Sequence, residues 1–469
     1  MNDSYLIQGG TVIADCDSAP QAADVLVEDG RIAAIGRELP AAGAEIIDAA
    51  NGVVIPGLVD THRHTWQTPL RGVCGDMSIL EYFMSVRWYL GGAFTPDDVY
   101  VGVLSGALEM IDAGVTQVLD FSHCMNSPEH ADAAFAAIRD SGIRAVFAYG
   151  FNEVPLENPA FASHDQRIAD FHRVAETYFP DPRGLLTLGV SLSDYTQVGI
   201  EVLHKEILAA REHGARITLH PGAFTSKRKF NAITQLHERG LIADDMVFVH
   251  CNPASEEELG YLAESGAHVS MTPETEMQMS MGFPVTNRIL RLGMRPTVGV
   301  DVTSDGSGDL FFQMRLALQT ARAQANQESL DRGETNEHLA LSCRDALRFA
   351  TENGAVALGS STSTGRLAPG MAADLVVLRS RSYELDPIID PFTTAVLHAN
   401  AGSVDTVMIG GKVRKRGGVS TDPEREAEAR QRLREVGDRI GGDWNRREGL
   451  AGRPDTQAER VMRERLGAS

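Results

Sequence analysis

His62-Arg63-His64 follows the apolar run Val53-Val54-Ile55-Pro56-Gly57-Leu58-Val59-Asp60-Thr61. A β-branched run of this kind predicts a buried strand. Two histidines two residues apart, just past a strand, put both imidazoles on one side of the backbone, where a divalent metal can take both. His-x-His alone carries little weight, but two further strand-like runs end in histidine, Ile217-Thr218-Leu219-His220 and Val247-Phe248-Val249-His250. A fourth, Pro296-Thr297-Val298-Gly299-Val300-Asp301, ends in a carboxylate. Histidines and a carboxylate at the C-terminal tips of separate strands are what a metal site at the mouth of a parallel β/α barrel requires.

The elements that would position these residues follow from the patterning. From residue 57 to about 360 strand-like and helix-like runs alternate. Thr95 to Ala113 reads as a helix opened by Thr95-Pro96-Asp97-Asp98, and Val115 to Asp120 as a strand. Ala131 to Asp140 reads as a helix and Arg144 to Tyr149 as a strand. Such alternation predicts an α/β fold with a parallel sheet, here a (β/α)8 TIM barrel. Residues 5–50 instead read as short strands joined by Gly9-Gly10 and Asp29-Gly30, the texture of β-hairpins. Similar texture returns at Ala373 to Leu378 and Val404 to Val413. The expected organisation is a composite β-sandwich from 1–56 and 366–420, a barrel over 57–365, and a charged helical tail over 421–469.

The 469 residues are 43% hydrophobic, ample for a large core and a smaller second domain. A net charge of −21 argues against nucleic acid or an anionic membrane as partner and leaves a small-molecule substrate. Five scattered cysteines, never in C-x-x-C spacing, argue against a disulfide framework or zinc ribbon. With no apolar run of membrane-spanning length and no signal-like N-terminus, the expectation is a soluble cytoplasmic protein.

Several stretches together resemble the amidohydrolase superfamily, in its cytosine-deaminase-like and triazine chlorohydrolase-like branch. They are Val54 to His64, Pro69-Leu70-Arg71-Gly72, Glu109 to Thr116, both histidine strands, Gly354 to Gly359, and Gly365 to Leu375. The resemblance implies hydrolytic chemistry on a (β/α)8 barrel and a homodimer or higher homo-oligomer. It assigns His62, His64, His220 and Asp301 as metal ligands. Three imidazoles and a carboxylate suit one Zn²⁺, with Fe²⁺ as the alternative. Such an ion lowers the pKa of bound water from about 15.7 towards about 7. Asp301 would also accept the water proton, and His250 resembles the family histidine that faces the substrate. Two-metal relatives usually carry a carboxylated lysine on the fourth strand. Leu185 to Ser193 has no lysine, which favours a single metal.

The chain departs from the deaminase pattern in one place that bears on mechanism. A glutamate normally stands three residues after the fifth-strand histidine and protonates the ring nitrogen; here that position is Ala223. The seventh-strand region reads Pro273-Glu274-Thr275-Glu276, so Glu276 is the candidate replacement acid and Glu274 a second carboxylate near the mouth. The alternative for both is loop capping or pairing with Arg288 or Arg315. Asp305 and Asp309, in a Gly/Ser-rich loop, read as loop-capping residues. His123, past the strand that ends at Phe121, and the aromatic residues Trp66 and Trp88 are candidate contacts for a flat heterocycle. The first functional expectation is hydrolytic deamination, or related C–N hydrolysis, of a small nitrogen-containing ring. Hydrolytic opening of a cyclic amide or imine is the alternative, because a polarised carbonyl needs less help from an acid. A non-catalytic binding protein is a third, set against the retention of all four putative ligands.

Overall fold

The computed structural model describes residues 4–40, 43–152, 154, 156, 158–181, 184–222, 232–379 and 383–446. Five N-terminal strands come first: β1 (Tyr5–Val12), β2 (Gln21–Glu28), β3 (Arg31–Gly36), β4 (Glu45–Asp48) and β5 (Val53–Pro56). Asp29 and Gly30, with φ of 51° and 77°, make the two-residue left-handed turn between β2 and β3 that an Asp-Gly pair favours.

Eight barrel strands follow. They are β6 (Leu58–Arg63), β7 (Val115–Ser122), β8 (Arg144–Gly150), β9 (Leu186–Ser191), β10 (Arg216–Leu219), β11 (Met246–Val249), β12 (His268–Met271) and β13 (Pro296–Val298). Each pairs in parallel with the next. The ring closes where Arg63 bridges Asp301, through His64 N–H to Asp301 O at 2.8 Å and Asp301 N–H to His62 O at 2.9 Å. Closure therefore joins the strands that carry the His-x-His pair and the carboxylate. Along β7 the side chains alternate: Leu119 and Phe121 pack inside with Val59, Val146, Ala148 and Val247, while Val118 joins the outer core. The same parity brings His123, the next odd residue, to the mouth. Near the mouth the packing turns polar, with Thr61 Oγ1 at 2.7 Å from Ser270 Oγ and 2.9 Å from Thr297 Oγ1.

The C-terminal strands β14 (Leu375–Leu378), β15 (Val404–Ile409), β16 (Lys412–Arg416) and β17 (Val419–Ser420) return to the first sheet. Its order is β17-β16-β15-β14-β5-β1-β2-β3, with β4 beside β1. Strand periodicity gives this sheet two apolar faces. Val54, Leu375 and Val377 join a small core of its own, while Val53, Ile55, Val376 and Leu378 join the barrel core. The tail forms a helix, Pro423–Arg446, along the helix Pro96–Asp112, with Ala429, Val436 and Ile440 buried and Arg432 and Arg439 paired to Asp97 and Asp98. Among the described residues no helix is long and apolar enough to cross a membrane.

Candidate active site

The strand tips bring the titratable groups together. His62 Nε2 lies 3.1 Å from Asp301 Oδ1, and His64 Nε2 lies 3.3 Å from the same oxygen. His220 Nε2 reaches His62 Nε2 at 3.3 Å. His250 Nε2 faces the other carboxylate oxygen, Asp301 Oδ2, at 3.7 Å. Two of these residues, His250 and Asp301, hold left-handed backbone at φ of 67° and 71°. Such conformations are costly away from glycine and concentrate at functional sites.

Protonation states follow from burial and hydrogen bonding. Burial pushes His62 down to about 4, against the pull of Asp301, and holds His64 well below its ordinary range. Both are therefore neutral near pH 7. His64 Nδ1 lies 3.2 Å from Phe121 O, so it carries the proton and leaves the Nε2 lone pair facing inward. Burial works against a charge on Asp301 as well, but its hydrogen bond to His62 and the surrounding histidines hold its carboxyl well below the usual range. His250 differs. Burial pushes its pKa down, but the hydrogen bond from Nδ1 to Glu276 Oε1, at 3.3 Å, and the Asp301 charge outweigh that and raise it.

Inward-facing lone pairs beside a carboxylate suit a cation. Donors bound about 2.0–2.1 Å from one tetrahedral ion lie about 3.3 Å apart. The 3.1 to 3.3 Å spacings of His62 to Asp301, His64 to Asp301 and His62 to His220 match. Among the described residues two donor triads form, His62 with His64 and Asp301, and His62 with His220 and His250. They share His62, so His220 sits to the side of the His64–Asp301 pair. The residues fit a divalent ion of the zinc type.

The remaining candidates divide. His123 lines the pocket, stacked on His64 with ring centroids 4.1 Å apart. Its Nδ1 accepts a hydrogen bond from Trp66 Nε1 at 2.9 Å, and burial keeps the ring neutral, so Nε2 carries the remaining N–H. Trp66 is itself fully buried behind His123, and Trp88 packs against Phe83; neither reaches the pocket. The aromatic wall consists of Tyr82 and Phe83 instead. Glu274 is also turned away, its Oε2 accepting from Ser307 N at 3.1 Å and Gln313 Nε2 at 2.8 Å, which braces the loop after Asp301. Glu276 sits behind His250: Oε1 also accepts from Thr272 N at 2.9 Å, and Oε2 from Asn252 Nδ2 at 3.3 Å. Arg288 and Arg315 bind other groups, so neither pairs with these glutamates. Asp309 caps the helix Leu310–Asp331. Ala223 lies outside the described residues.

Sequence reasoning missed Arg87, Tyr82, Phe83 and Asp194 in the pocket wall, and Thr272 and Asn252 around Glu276 and His250. Only Arg87 left a signal, a lone charge in the run from Tyr82 to Leu90.

A parallel barrel with imidazoles and a carboxylate converging at the C-terminal ends of its strands defines the class of metal-dependent barrel hydrolases. The amidohydrolase family model matches residues 53–414, and the chain belongs to that family. The protein is a hydrolase acting on carbon–nitrogen bonds other than peptide bonds. It is similar to the 5'-deoxyadenosine deaminase of Methanosarcina mazei, 30% identical over 397 residues that cover 83% of this chain and 87% of that protein. It is also similar to the 5-methylthioadenosine/S-adenosylhomocysteine deaminase of Syntrophomonas wolfei, 28% identical over 404 residues, 83% of this chain and 88% of that one. Among solved structures, an adenosine deaminase from Xanthomonas campestris with bound zinc superposes with a TM-score of 0.82 at 23% identity, covering 93% of this chain and 98% of that one. The zinc complex of atrazine chlorohydrolase from Arthrobacter aurescens gives 0.78 at 22% identity, covering 92% and 99%. At those identities the structures speak to the fold.

Proposed function

We propose that the protein is a single-zinc aminohydrolase that replaces an exocyclic amino group with hydroxyl on an amidine-like carbon of a small heterocycle. The observation that carries this reading is the division of Asp301, Oδ1 towards His62 and His64 and Oδ2 towards His250. His62, His64, His220 and Asp301 would hold the ion, which when bound supplies Lewis acidity and a water of lowered pKa. Asp301 Oδ2, which also accepts from Thr272 Oγ1 at 3.5 Å, takes the proton of the attacking water and returns it to the departing nitrogen, which leaves as ammonia. His250 presents Nε2 to the group under attack, with Nδ1 held by Glu276 and, at 3.0 Å, by Thr272 Oγ1. Glu276 is then a positioning residue that acts through His250, in place of the direct acid expected from its spacing. His123 Nε2–H and the Tyr82 and Phe83 rings supply a donor and an apolar wall for a flat ring. The curated relatives named above are deaminases of adenine nucleosides, which supports an aminated ring as substrate.

The test is product analysis by mass spectrometry. Zinc-loaded protein is incubated with aminated purines (5'-deoxyadenosine included), pyrimidines, pterins and triazines, and with cyclic amides and imines. Exchange of amino for hydroxyl with ammonia released, abolished by chelation, is the expected result. Gain of a whole water without ammonia overturns deamination in favour of ring opening.

A further inference from the structure

Arg87 lies on the wide-turned π-helical segment Phe83–Leu90, which continues directly from the short helix Ile79–Tyr82. π-Helical turns are rare and collect at functional sites. The residue is 1% exposed and lines the same pocket as His64, His123, His220 and Asp301. Neither terminal nitrogen of its guanidinium has a hydrogen-bond partner among the described residues. A guanidinium carries five N–H donors in a planar fork, and burying one without partners is among the costliest placements available to a side chain. The carboxylates lining the pocket are Asp194 and Asp301. Asp301 is committed to the histidines, and Asp194 stands 3.8 Å from His220 Nδ1. Asp194 also supplies the strongest favourable charge to Arg87, but burial outweighs it and no hydrogen bond joins the terminal nitrogens to it, so the donors of the fork are left unfilled.

We infer that Arg87 is the specificity determinant of this pocket and that the substrate is an aminated ring bearing a carboxylate, which the Arg87 fork receives. This rests on the aminohydrolase reading of the same site. The fork matches a carboxylate in a bidentate geometry, and the pair would form in a site screened from water, where it is strongest. A neutral ring carbonyl would satisfy the donors but leave the charge uncompensated. The arrangement also accounts for buried guanidinium donors that the described residues do not fill: their acceptor arrives with the ligand.

The test reads binding before turnover. Zinc-loaded wild type and the Arg87→Met and Arg87→Lys variants are titrated calorimetrically with two ring-matched pairs, cytosine with cytosine-5-carboxylate and pterin with pterin-6-carboxylate. Benzoate is a minimal ring carboxylate for the same titration. Wild type is expected to bind benzoate, and at least one carboxylated ring about tenfold or more tighter than its neutral partner. Arg87→Met should erase that preference and leave the neutral members within about threefold, and Arg87→Lys should keep part of it, as a point charge without the fork. Without ligand, Arg87→Met should unfold at the same or a higher temperature, since an apolar chain replaces a buried charge whose terminal donors are unfilled. Wild type that binds neither benzoate nor any carboxylated ring in preference overturns the inference, whatever the variants do. So does an equal loss for both members of a pair in Arg87→Met, which would make the residue structural. Ammonia released from neutral rings with no dependence on Arg87 would remove this inference and leave the aminohydrolase reading standing. Binding of carboxylates that depends on Arg87, with no ammonia from any ring, would do the reverse.

Discussion

Glu276 and Asp305 are both buried carboxyl groups near Asp301, yet their surroundings give them opposite tasks. Glu276 is satisfied by Thr272 N, Asn252 Nδ2 and His250 Nδ1. Its substitution by Gln preserves the shape but removes the charge that favours protonated His250. Turnover in Glu276→Gln should fall about 10- to 100-fold, the usual cost of losing an orienting partner, with zinc content unchanged. The pH–rate profile should move to lower pH, because His250 loses the anion that raises its pKa. Unchanged turnover across pH would take Glu276 out of the mechanism. Among the described residues neither Asp305 oxygen has a well-formed hydrogen bond, and burial, reinforced by the Asp301 charge and only partly offset by nearby Thr275, pushes it up to about 8. The folded chain thus holds a proton there that the unfolded chain, at an ordinary carboxyl pKa, releases. The stability this contributes is fully present below about pH 4, declines as pH rises towards 8, and is gone beyond it. Urea unfolding of chelated wild type and Asp305→Asn from pH 5 to 8 isolates this group from the buried histidines, whose slope is opposite: the stability of wild type relative to the variant should fall as pH rises, and a pH-independent difference would refute the assignment. At this scale the sequence made the inward-facing groups legible where a strand ends in histidine or aspartate. It could not reveal which way Trp66, Trp88 and Glu274 turn, because a loop side chain has no periodicity that fixes its direction.

The barrel strands are the elements that set the geometry of the proposed metal site, and β6 and β13 set most of it because the ring closes between them at Arg63 and Asp301. That closure depends on Gly299. A Cβ there would come 2.7 Å from both His62 N and His62 O, a collision with backbone rather than with a side chain that could swing aside. Gly299→Ala must therefore push β13 away from β6. The expected cost is about 1–3 kcal/mol from overpacking, together with loss of bound zinc as His62 and Asp301 separate. Thermal unfolding and metal analysis check both, and retention of full zinc content would show that the closure tolerates the shift. These strands were readable in advance because β-branched runs recur between amphipathic helical stretches, and the end of each run locates the mouth. The segment from Phe83 to Leu90 was not. An apolar run containing one arginine fits strand, helix or loop equally well, and π-helical turns have no sequence period of their own. Arg87 thus became legible as a pocket residue only once the fold had placed it.

Across the whole molecule, the two chain ends must meet for the first sheet to exist, and Asp374 is the residue that fastens this sheet to the barrel. It receives Arg144 of β8 in a two-pronged contact, Nε to Oδ2 at 2.8 Å and Nη2 to Oδ1 at 3.0 Å. Gly410 N–H donates to Oδ1 at 2.7 Å, and the Asp374 carbonyl accepts from Gly57 N at 3.0 Å. The Asp side chain is 2% exposed and the Arg side chain 13%, so the pair is largely removed from solvent. This gives a physical reason for the stretch from Gly365 to Leu375 that carried the family resemblance. Gly370 N–H donates to Ile32 O at 2.8 Å, Met371 O accepts from Ile32 N at 2.9 Å and Ala373 N–H donates to Gly30 O at 3.0 Å, which leads the chain to Asp374 against the barrel wall. Breaking a buried pair by removing one partner leaves the other charge stranded, and typically costs about 3–5 kcal/mol. Asp374→Ala should therefore destabilise the protein by that order, with little change in kcat for the fraction that remains folded, because the pair lies on the sheet side of the barrel and lines no part of the pocket. Removing both charges at once, as in Arg144→Met with Asp374→Ala, should recover part of the loss, since no stranded cation remains. Denaturant unfolding of the two single variants and the double variant measures the coupling directly. Additive losses would mean that the sheet is held by apolar contact through Val53, Ile55, Val376 and Leu378 alone, and that Asp374 serves only the local turn.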